Sequence, residues 1–91
     1  RSSVLVAALG RVWLEIADAE DDSAAVRKAI TALQPQATRA DATSEVLTLL
    51  GEAQLRAGNA AEAVRTLQQA VARQPVRARE RAQRQPLGEH G

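Results

Sequence analysis

Five carboxylates within one short stretch, Glu15, Asp18, Glu20, Asp21 and Asp22, form the densest group of potential ligands in the chain. Clusters of this kind hold calcium when the loop turns sharply around the ion, which requires a glycine at its sixth place and a glutamate at its twelfth. Counted from Asp18, those places are Ser23 and Ala29. The run therefore reads as a solvated turn whose carboxylates sit against the positive N-terminal end of a helix. His90 is the one histidine and there is no cysteine, so neither a zinc site nor a histidine-based triad can be assembled. No nucleophile elbow, phosphate loop or dinucleotide fingerprint occurs. The expectation is a non-enzymatic protein with no metal and no cofactor.

A second charged group, Arg73, Arg77, Arg79, Arg81 and Arg84 against Glu80, could touch phosphates or an acidic partner. Nucleic acid binding brings stacking aromatics or a wider basic face. Here the formal charge is +1 overall and Trp13 is the lone aromatic residue. These arginines read as a solvated continuation of a helix rather than a nucleic-acid site.

The elements that position these groups follow from composition. A chain of 91 residues is one small domain with a marginal core. Of its 41 hydrophobic residues, 20 are Ala, 10 Leu, 8 Val, 2 Ile and one Trp, so aliphatics must pack against alanine and helices must approach closely. Good helix formers dominate and no alternating strand pattern occurs, which gives an all-α fold. Without cysteine the compartment stays open between cytoplasm and periplasm. Eleven arginines against a single lysine suggest a bacterial source of high GC content. The apolar run from Val4 to Leu9 is too short for a signal h-region or a membrane span. A start at Arg1 reads as a piece cut from a longer polypeptide.

Periodicity predicts four helices. The first runs from Ser3 to Ala17 with two stripes, Leu5, Leu9, Val12 and Ile16 beside Val6, Gly10, Trp13 and Ala17, and two stripes mean two neighbours. Asp22 or Ser23 caps the second, which buries Ala25, Val26, Ala29, Ile30 and Leu33 and stops at Gln34 before Pro35. Asp41 or Thr43 opens the third, which ends at Gly58 in a left-handed stop. Asn59 and Glu62 form a capping box for the fourth, whose inner stripe is Ala60, Ala63, Val64, Leu67, Ala70, Val71 and Gln74. Residues 76–91 are expected as a frayed basic helix running into a disordered tail.

Gly51, Gly58, Ala63, Leu67, Ala70 and Pro75 are spaced so that small residues lie where two antiparallel helices touch. This spacing resembles the tetratricopeptide repeat over residues 44–77. A degenerate unit lies at about 3–36, with Gly10, Trp13, Ala25 and Ala32 in the matching packing places. Ala25, Val26, Arg27, Ala32 and Leu33 match Ala63, Val64, Arg65, Ala70 and Val71 at a shift of 38, and Gly10 matches Gly51 at a shift of 41. Both exceed the family's usual 34 residues. That places about three extra residues in the acidic turn and about four before the second unit. The architecture implied is a short α-solenoid of two helix-turn-helix units over residues 1–75, followed by a basic extension.

Resemblance to this family implies protein or peptide binding on a groove made by first helices. The corresponding positions are Val4, Ala7, Arg11 and Leu14 in the first unit and Glu45, Thr48, Glu52 and Leu55 in the second. Family members that grip a C-terminal carboxylate use lysine and asparagine where this chain has Ala7, Arg11 and Leu49, so that mode is excluded. A scaffold role in bacterial envelope assembly, secretion or export is the expectation; the alternative is a helical segment of a larger transcriptional regulator. Two units fall below the number that folds alone, so self-association in isolation is also expected.

Overall fold

The computed structural model describes residues 3–74; Pro75, the basic stretch 76–91 and His90 lie outside them. All four elements among the described residues are helices: α1 Ser3–Glu20, α2 Ser23–Ala37, α3 Ser44–Arg56 and α4 Ala60–Ala72. They pair as two antiparallel hairpins, α1 with α2 and α3 with α4, and the second hairpin stacks on the first through α2 against α3 and α1 against α3. The result is a small, repeat-like helical bundle. None of the described helices is long and apolar enough to cross a membrane.

The two hairpin turns are built alike. Asp21 takes a left-handed backbone (φ 53°), and the next N–H, from Asp22, donates back to the Ala17 carbonyl. Gly58 does the same (φ 86°), and the Asn59 N–H donates to the Gln54 carbonyl. Each turn thus closes the preceding helix with a six-to-one bond and starts the next helix at once. Aspartate is among the few L-residues that tolerate the left-handed region, which is how α1 runs three residues past its expected end at Ala17. Asp22 then caps α2 by accepting from the Ala24 N–H, and Thr43 caps α3 by accepting from the Val46 N–H. The expected capping box at α4 is not formed. The Asn59 N–H is already bonded to Gln54, the Asn59 side chain makes no cap bond, and Glu62 pairs with Arg65.

Proline does not stop α2. The helix carries Pro35 in its last turn and continues to Ala37. Only one N–H is lost there, while the Thr38 N–H donates to the Gln34 carbonyl and the Thr38 hydroxyl to the Pro35 carbonyl. Ala37 packs against the main core and the Ala42–Leu47–Ala70 cluster, and that packing outweighs the proline preference.

Small residues set the spacing within each hairpin. A Cβ on Gly10 would come within 2.7 Å of Leu33, and one on Gly51 within 2.5 Å of Leu67. These two contacts fix the structural repeat. First helices correspond at a shift of 41, but second helices correspond at 34, Leu33 with Leu67 and the buried Ala29 with the buried Ala63. The shift of 38 expected for the second helices is therefore corrected. The first hairpin holds seven more residues between glycine and leucine than the second, and shared between its two helices they lengthen each by about one turn. They do not enlarge the acidic turn, which is only Asp21 and Asp22.

The main core joins Ala7 and Leu14 of α1, Ala29 and Leu33 of α2, and Val46, Leu49, Leu50 and Ala53 of α3. Trp13 is half-buried, packs against this core and the Ala17–Ala25–Val26 cluster, and lies 4.9 Å beneath the Lys28 ammonium. At its counterpart in α3, Gln54 is buried and its Oε1 accepts no hydrogen bond. Two expected inner faces differ. In α4, Ala60, Val64 and Val71 are exposed whereas Thr66 is buried, its hydroxyl donating to the Glu62 carbonyl one turn back. In α1, Leu5, Leu9 and Val12 are exposed, and the buried side is Ala7, Gly10, Leu14 and Ala17. In α3, where helical spacing puts Val46, Leu47, Leu50, Ala53, Gln54 and Ala57 on the inner side, all but Ala57 are buried.

Candidate partner-binding face

Helices α1 and α3 lie side by side and run the same way, because Arg11 pairs with Glu45 while Asp18, further along α1, pairs with Arg56, further along α3. The second bridge is bidentate: Arg56 Nε and Nη2 donate to the two Asp18 oxygens at 2.8 and 2.7 Å. Through this hydrogen bond the guanidinium holds the Asp18 carboxyl below the usual carboxylate range, and Asp18 in turn raises Arg56. Between the bridges stand Glu15 on α1 and Glu52 on α3, neither with an ion-pair partner among the described residues.

The eight groove positions separate into two groups. Ala7 and Leu14 are buried in the core where α1 meets α3, so they offer nothing to a partner; their counterparts in the second hairpin are Thr48, half-buried, and Leu55, exposed. Val4, Arg11 and Glu45 are exposed and Glu52 is half-buried. The usable surface is therefore more charged than the family pattern implies. Reading the sequence by family position alone missed Glu15, Asp18 and Arg56. Their signal was helical spacing, since Arg11, Glu15 and Asp18 recur at i, i+4 and i+7 on one face of α1.

Among the packing positions, Gly10, Gly51, Ala25, Ala63 and Ala70 are buried, while Trp13, Ala32 and Leu67 are half-buried. Gly58 differs: a Cβ there would meet nothing within 4 Å, so its part is the left-handed turn rather than helix contact.

At the turn end of the first hairpin, an open hollow of about 230 Å³ is lined by Ala17, Asp18, Asp21, Asp22, Ser23, Val26 and Arg56. It arises because the longer first hairpin projects past the end of α3. Two of its carboxylates are engaged, Asp18 by Arg56 and Asp22 by the Ala24 N–H. Among the described residues no group of acidic side chains and histidines could hold a metal ion. No family model matches the chain, and neither a curated protein nor a solved structure matches it.

Proposed function

We propose that the chain is a non-catalytic helical-repeat scaffold, tetratricopeptide-like in its units, that binds a protein or peptide through the α1–α3 face. The observation that carries this reading is the pair of carboxylates, Glu15 and Glu52, that make no ion pair among the described residues and stand between two bridges linking α1 to α3. With Arg11, Asp18, Glu45 and Arg56, the face is acidic on balance. Its complement is a basic segment, attracted by the uncompensated charge and lying across both helices.

The test is titration of arginine- and lysine-rich peptides against the chain, followed by Trp13 fluorescence or calorimetry. Binding should weaken as salt rises and drop at least about tenfold when Glu15 and Glu52 are both changed to Gln, since two charge-assisted contacts are lost. An Arg27→Ala control, on an exposed position of α2, should bind as the parent does. Equal binding by the double variant would overturn the reading.

A further inference from the structure

Among the described residues, seven large apolar side chains are 47–74% exposed: Val4, Leu5, Leu9 and Val12 on α1, Leu55 on α3, and Val64 and Val71 on α4. The structural repeat assigns a buried counterpart to four of them and a half-buried one to two more. Leu5, Leu9 and Val12 correspond, at the shift of 41, to Val46, Leu50 and Ala53, the buried residues by which α3 joins the main core beside α2. Leu55 corresponds to Leu14, buried in that same core. Val64 and Val71 correspond, at the shift of 34, to Ile30 and Ala37, which pack against it.

The molecule therefore contains one completed junction between its hairpins and both uncompleted halves of another. Helix α1 carries the half that α3 supplies, and the α3–α4 end carries the half that α1 and α2 supply. We propose that two copies of this chain associate head to tail, α1 of one copy covering Leu55, Val64, Leu67 and Val71 of the next and reproducing the internal α2–α3 junction. The occupant is a second copy because the complementary surfaces stand on one chain and match the junction residue by residue. Such a contact is heterologous, so it generates rings or open chains instead of a closed two-fold dimer. This inference does not depend on the partner-binding reading, although Glu15 and Glu52 of that charged face also border the new junction.

Charge gives the contact a distinct signature. The pairs Arg11–Glu45 and Asp18–Arg56 would be replaced at the new junction by Glu52 with Val4 and Asn59 with Glu15. With no ion pair crossing it, the junction should be held by apolar burial, and raising salt should not loosen it.

Light scattering and sedimentation of the whole chain from roughly 10 μM to roughly 1 mM provide the test, a range suited to a contact smaller than a standard interface. The expected result is a mass that rises with concentration. Leu9→Glu on α1 and Val64→Glu on α4 should each give a monomer, with Leu5→Glu and Val71→Glu as a second pair and circular dichroism confirming the helical fold of each. Mixing the Leu9 and Val64 variants restores one intact junction and should yield a one-to-one dimer that grows no further. A parent chain that stays monomeric overturns the proposal, as it would if other helices of a longer polypeptide, or residues 76–91, cover these faces. Association that survives Val64→Glu but not Leu9→Glu also overturns it, since that pattern means α1 pairs with α1.

Discussion

Gly58 and Asp21 occupy the same backbone region at equivalent turns, yet only one of them is a residue free to do so. At Gly58 a side chain would meet no neighbour, so substitution there isolates the backbone cost of the left-handed turn. Gly58→Ala should destabilise the fold by about 1 kcal/mol, the steric penalty less the gain from a stiffer unfolded chain, and Gly58→Asn by less. Urea unfolding followed by circular dichroism measures both; equal stability of all three would mean the turn relaxes to another conformation. The Asp18–Arg56 bridge is the other residue-scale feature with a measurable consequence. The hydrogen bond from Arg56 lowers the folded-state pKa of Asp18, so the bridge stabilises above the unfolded aspartate value of about 3.9. That stabilisation is lost as pH falls from there through the lower folded value. An Asp18→Asn chain should therefore melt lower than the parent at pH 6, with the gap closing toward pH 2; parallel melting curves across the range would show the bridge contributes nothing.

For the helices, the two glycine contacts look alike in distance and differ in what surrounds them. Leu33 is fully buried, so a methyl on Gly10 has to displace a side chain with nowhere to go, whereas Leu67 is half-buried and can swing toward solvent. Overpacking costs about 1–3 kcal/mol, and replacing a helical glycine with alanine returns about 1 kcal/mol. Gly10→Ala should therefore lose about 1 kcal/mol, while Gly51→Ala should stay near neutral despite its shorter contact. Thermal melts of the two variants at a concentration where the chain is monomeric decide this. The number and order of helices were legible in the sequence because aliphatic spacing and the punctuation at Gly58, Asp22 and Thr43 agree with one another. What was not legible depends on neighbours. Pro35 reads as a stop until Ala37 is seen to pack; Thr66 reads as a surface residue until its hydroxyl is seen turned onto its own helix; Val64 and Val71 read as core although no described helix covers them.

On the scale of the whole molecule, the candidate face was half legible. Family positions located α1 and α3 but not the division between residues that join the hairpins, such as Ala7 and Leu14, and residues left to meet a partner. That division depends on where α3 lies on α1, and no local pattern encodes it. The two proposed attachments would respond oppositely to salt: the acidic α1–α3 face should release a basic peptide as ions are added, and the apolar ends should not release a second copy. Arg73, donating to the carbonyls of Ala40 and Ala42 at 3.0 and 2.6 Å, ties the end of α4 to the loop between hairpins.

Unequal hairpin length carries a last consequence. Because each helix of the first pair is on average about one turn longer than its counterpart in the second, one rim of the molecule is stepped by roughly 5 Å. Any row of copies joined end to end would present that rim as a regular corrugation, tall and short by turns, with an acidic notch under every overhang.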